Sequence, residues 1–418
     1  GILAQAWFCS QVQGAALWLR VADAWTNMSF AANLNKPKKQ PVQTDASAIA
    51  KQQKVDRERI RRLIITLGDD NKKIVGQIRG LAGAFEDDVD LHGELLAETL
   101  LDCSKHIPLK TSIYAAWVAK MIDKHPSWAA ALVPKVLGEL QTALRTGQAT
   151  VAQLILQFVV SLGSYGALGL TSVLGLVKEV LELSDGLRPS KGGDLGAFLA
   201  LASLLYLSPA ARAQVPAGQV EVLLSQAGAY ISSRDPGWKP LLRVLKSDDD
   251  ITDRLEGLLL AVQSLQKADW NSQAILHVPG FEPSLDGRPG IPDLPSLGLS
   301  SEDIRRHKVR MHIPLMSSRF LSRQLDKDGA DDHMMDHDRW ILEDYILLII
   351  DMFGRDVEEC ARQILKIPVL HPDFEAIAVE TVFSQMLRLP SPPALPLFYS
   401  RLLEAFMEKQ TSTKALID

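Results

Sequence analysis

A large excess of charge of one sign is missing from this chain. Its 418 residues carry 45 Lys and Arg against 50 Asp and Glu, a net charge of −5. Bulk charge therefore supplies no attraction to nucleic acid. Cysteine is scarce. Cys9, Cys103 and Cys360 stand far apart with no CxxC spacing, which excludes a disulfide framework and a zinc module and fits a reducing compartment. Aromatic residues make up 6%, and no window interleaves them with basic residues in the manner of a single-strand nucleic-acid platform. Alternating strand patterns are nearly absent. So are the short chemical signatures: no GxSxG, HExxH or dinucleotide fingerprint occurs, and Lys191-Gly192-Gly193 lacks the GxxxxGK[ST] context of a phosphate loop.

What remains is helical periodicity. Over residues 76–121, Ile78, Leu81, Ala82 and Phe85 fall at i, i+3, i+4 and i+7, one side of a helix. An acidic break at 86–90 comes next. Leu96, Leu100, Cys103 and Ile107 repeat the spacing until Pro108 stops it, and Ile113, Ala116, Trp117 and Met121 begin a third stripe. Three such stripes cannot each bury a face alone, so they must pack on one another and on the helices after them in the chain. The same pattern opens earlier, at Ile60, Leu63, Ile64 and Leu67. It continues through Val133 to Leu144, Val173 to Leu181, Val220 to Ile231, and the stripe Ile251, Leu255, Leu258, Leu259, Val262, Leu265.

Residues 148–177 hold no charge, long enough to raise a membrane span. Against it, Gln153, Gln157, Ser161 and Ser164 form a polar stripe opposite Ile155, Phe158, Val159 and Leu162. Gly163, Gly166 and Gly169 then divide the run into a helical hairpin. A second uncharged run, 195–211, is read as ended by Pro209. The spacing of helical pairs, roughly 35 to 45 residues, is that of HEAT-like solenoids. The expected fold is all-α, an α-α superhelix of antiparallel helix pairs. Residues 1–55 read as a disordered leader with a small basic cluster (Lys36, Lys38, Lys39). Residues 56–275 form a first helical-repeat domain, 276–337 a linker rich in Pro and Gly at its start, and 338–418 the start of a second domain. Leu403 and Phe406 lack a closing element, so a truncated chain is expected.

The sharpest chemical cluster is DDHMMDHD at 331–338. His333 and His337, four apart, would share a helix face and could hold a metal with Asp332 or Asp336. The helix is expected to begin near Trp340, however, and acids just ahead of a helix are favoured by its dipole alone. Two basic strips, Arg57, Arg59, Arg61 and Arg62, and 305–310 (RRHKVR), could touch phosphate but lie among acids. Asp87/Asp88 and Glu358/Glu359 are adjacent in sequence, so on a helix they point apart. No catalytic, cofactor-binding or metal residue is assigned, and no enzyme activity is expected.

Several long segments carry a resemblance. IRGLAGAFEDDV (78–89), IPLKTSIYAAWV (107–118) with Lys110, Thr111, Ile113 and Tyr114, LQKADWNSQAILHVPGFEP (265–283) and the stretch 340–410 resemble, in order and spacing, the N-terminal portion of the large-subunit family of the nuclear cap-binding complex. The helical domains of that family are related to the middle domain of translation initiation factor 4G. The resemblance implies a non-enzymatic nuclear scaffold that can shuttle to the cytoplasm. It would support a small RNA-recognition-motif subunit that itself holds the methylguanosine cap. Capped RNA would be met indirectly, and RNA processing and export factors would be partners in splicing, export and nonsense-mediated decay. The family's larger basic N-terminus is reduced here to Lys36, Lys38 and Lys39. The small subunit docks mainly on parts beyond this stretch, so no contact residues carry over. The alternative is another helical-repeat scaffold of translation or RNA decay that binds RNA or a helicase directly.

Overall fold

The apolar stripes become helices whose limits are set by local chemistry. The computed structural model describes residues 46–69, 73–86, 89–184, 194–215, 218–233, 251–278, 280–281, 293–300, 303, 316–318, 334–353, 356–367, 374–386, 397, 399–405 and 407–408. In chain order the helices are α1 (Ala46–Ile65), α2 (Ile74–Ala84), α3 (Val89–His106), α4 (Thr111–Ile122), α5 (Pro126–Thr146), α6 (Ala149–Ser164), α7 (Leu170–Glu182), α8 (Asp194–Leu204), α9 (Pro209–Gln214), α10 (Gln219–Ser233), α11 (Arg254–Lys267), α12 (Asp336–Phe353), α13 (Val357–Leu365) and α14 (Phe374–Met386). Helix α5 shows the local logic. Pro126 sits at its first turn, where a missing N–H costs nothing. Gly147 closes it in the left-handed region (φ 73°), with Gln148 N–H donating to Ala143 O at 2.8 Å.

The helices pack in two layers. Helices α2, α4, α6, α8, α11, α12 and α14 form one succession in which each contacts the next. Helices α3, α5, α7, α10 and α13 pair with members of that row from outside it. This is the all-α stack of helix pairs that the periodicity predicts. The row crosses residues 276–337 without a break, because α11 packs directly on α12. Residues 55–418 form one compact unit.

Four readings of the sequence need correction. Ile251 is not on a helix: Ile251–Asp253 (β1) pairs antiparallel with Met316–Ser318 (β2), Thr252 opposite Ser317, and α11 starts at Arg254. Pro209 does not end a helix. α8 stops at Leu204, and Pro209 opens α9 with Ser208 as its cap, Ala211 N–H donating to Ser208 Oγ at 3.2 Å. Helix α12 begins at Asp336, four residues before Trp340. The polar stripe of α6 does not face water, since Gln153, Gln157, Ser161 and Ser164 are all buried. Helix α6 is enclosed on every side, at the centre of the inner row. Among the described residues no helix is long and apolar enough to cross a membrane.

Segment 107–118 has a structural role at each polar position. The ammonium of Lys110 is buried, donates to Ile65 O at 2.7 Å and pairs with Asp69, tying α4 to the end of α1. Burial lowers its pKa, and Asp69 opposes that. Thr111 Oγ1 donates to Pro108 O at 2.8 Å. Tyr114 lies beside Cys103, whose thiol burial pushes up to about 12. Trp117 is fully buried between Phe85 and Trp128, edge to face with each at 6.1 and 5.9 Å.

Candidate functional site

Among the described residues a dense cluster of charged and polar side chains is buried rather than on the surface. It lies where α6, α11, α12 and α14 meet, on both sides of the linker. From α11, Arg254 Nη2 donates to Asp344 Oδ1 at 3.3 Å, and its Nη1 stands 3.7 Å from Glu343 Oε2. The Arg254 guanidinium also covers the Trp340 ring at 4.8 Å, a cation–π contact strengthened by the absence of water. From α6, Gln153 Nε2 donates to Asp344 Oδ2 at 2.6 Å. Within α12, Arg339 Nε donates to Glu343 Oε1 at 2.9 Å, and its Nη2 donates to Glu380 Oε2 of α14 at 2.6 Å. All of these side chains are buried.

Among the described residues two guanidiniums and three carboxylates meet here, and the carboxylate of Asp344 is buried with the rest. Burial raises its pKa from 3.8 to about 6, against the pull of Arg254 and the Gln153 hydrogen bond. Burial works against the charge of Arg339, but Glu343 and Glu380 outweigh it and raise its pKa. Tyr206 Oη donates to Tyr345 Oη at 3.0 Å, and burial raises both phenols. Such a network is costly to assemble and fixes one arrangement of the helices that share it.

Two members of the sequence cluster, His337 and Asp338, enter this junction. His337 Nε2 lies 3.0 Å from Asn271 O, an acceptor, so Nε2 carries the proton; Nδ1 meets Ser264 Oγ at 3.1 Å. Both ring nitrogens are therefore engaged. Asp338 Oδ1 accepts from Ser272 Oγ (2.6 Å), Gln273 N (3.0 Å) and Ala274 N (3.1 Å). Asp336 is exposed, while Asp332 and His333 lie outside the described residues. Among the described residues no three His, Cys, Asp or Glu side chains converge as metal ligands would.

The segment that meets Asp338 is unusual in its backbone. Asp269 and Trp270 both adopt positive φ, 52° and 63°, a conformation that costs L-residues roughly 1–2 kcal/mol each. Burial of Trp270 and the bond from its N–H to Leu265 O at 2.8 Å hold the turn. Beyond it, Val278 N–H donates to Tyr165 Oη at 3.0 Å, and Phe281 lies under Arg79 of α2 at 5.9 Å. Residues 265–278 and Phe281 thus tie the end of α11 to both α12 and the earlier helices.

Of the basic strips, Arg57, Arg59 and Arg62 are exposed on α1 and Arg61 is half-buried. The strip 305–310 lies outside the described residues, as do Lys36, Lys38, Lys39, Asp87, Asp88 and Lys191-Gly192-Gly193. Glu359 is buried and bonded within α13 to Arg362 and Gln363. Arg339 and Glu343 stand four apart on one helix, but the bonds that join Arg254, Arg339, Asp344 and Glu380 across elements span 41 to 191 residues and gave no sequence signal.

No protein-family model matches the chain. It is similar to curated proteins named nuclear cap-binding protein subunit 1. The likeness to the Caenorhabditis elegans protein is 24% identity over 335 residues, 77% of this chain and 41% of that protein. For Caenorhabditis briggsae it is 23% over 357 residues, 83% and 44%; for Gallus gallus, 22% over 356 residues, again 83% and 44%. The chain thus spans less than half the length of the curated relatives it matches.

Proposed function

We propose that this chain is part of the large scaffold subunit of a nuclear cap-binding complex. The likeness to three proteins of that name over 77% to 83% of the chain supports this reading most directly. In this reading residues 56–275 form a first helical domain, 276–337 a linker, and 338–418 the start of a second. The buried junction fixes the two sets of helices against each other. The chain acts by binding, through helix faces and the grooves between them, and not by bond chemistry. Its partners are a small RNA-recognition-motif subunit that holds the cap, then RNA processing and export factors in splicing, export and nonsense-mediated decay. The work is nuclear, with shuttling to the cytoplasm.

The aromatic residues agree with a separate cap reader. A cationic methylated base is held by stacking between aromatic planes. Among the described residues the close ring pairs are Phe85–Trp117, Trp117–Trp128 and Phe198–Trp340. All five rings are buried and meet at interplanar angles of 53° to 68°, so they form core and leave no parallel slot. Affinity purification of the natural full-length protein from nuclear extract tests the assignment. The expected result is stoichiometric recovery of one small RNA-recognition-motif protein. Recovery of none would sink it.

A second reading, a translation or decay scaffold that binds RNA or a helicase directly, is favoured by exposed Arg57, Arg59 and Arg62 on α1. It requires that this chain alone bind single-stranded RNA with a steep salt dependence. Binding lost in an Arg59→Glu, Arg62→Glu chain would select this reading over the first, and salt-insensitive or absent binding would remove it.

A further inference from the structure

We draw no further inference here: the strongest candidate, the exposed face of α2 on which Gly76, Gly80 and Gly83 flank Arg79, is a stripe of small residues, and nothing in the structure shows what covers it.

Discussion

Arg254→Ala is expected to lower the unfolding free energy by about 3–5 kcal/mol at pH 8, the usual cost of removing one partner of a buried ion pair, and by clearly less at pH 5. The difference comes from Asp344. Burial raises its pKa from 3.8 to about 6 even with Arg254 beside it. The folded chain therefore holds this proton more tightly than the unfolded chain does. The contribution of this proton to stability falls as pH rises from 3.8 through about 6 and is gone above that. Arg254 is the largest influence resisting that rise, so its removal moves the folded pKa higher still. At pH 8 the variant must bury a carboxylate whose guanidinium has gone, or hold a proton against the solvent. At pH 5 Asp344 is already largely protonated in the native fold and needs its partner less. Chemical denaturation of both chains at the two pH values reads this directly. A loss of equal size at both would assign Arg254's contribution to packing on Trp340 rather than to charge. Arg254→Lys should fall between, keeping the positive charge but losing the fork and the stacking plane.

The fold was legible wherever a helix buries one face against its neighbours. The stripes of α2, α3, α4 and α10 appear in the sequence as they pack, since Ile78, Leu96, Ile113 and Leu223 each fall on a spacing that only a helix makes useful. Helix α6 shows where that reasoning stops. Its four polar residues look like a wet face, yet the helix is enclosed, and Gln153 and Ser164 find partners 191 and 42 residues away. Local pattern carries no information about such distances. The same reason hid the junction. His337 and Asp338 read as metal ligands or dipole partners because the turn that meets them, 271–274, lies more than sixty residues upstream. Pro209 could end one helix or begin the next, and only Ser208 ahead of it pointed to the beginning that the structure shows. Residues 293–300 were read as part of a linker from the local Pro and Gly content, and they form neither helix nor strand.

The largest functional effect expected is all-or-none retention on immobilised methylguanosine cap. If this chain is scaffold and another polypeptide is reader, cap affinity belongs to the second polypeptide; among the described residues the close ring pairs are buried edge to face or tilted. Binding energy at a cap comes from parallel stacking and from charge on the methylated base. A scaffold adds to it by holding the reader in its competent state, which raises apparent affinity by the inverse of the fraction otherwise competent. The decisive measurement passes the natural full-length protein, the small RNA-recognition-motif protein recovered with it, and a mixture of the two over the cap resin. The account predicts that the large chain is retained only in the mixture and is released by free cap analogue. Retention of the large chain alone, or its passage through the column while the small protein stays bound, would contradict it.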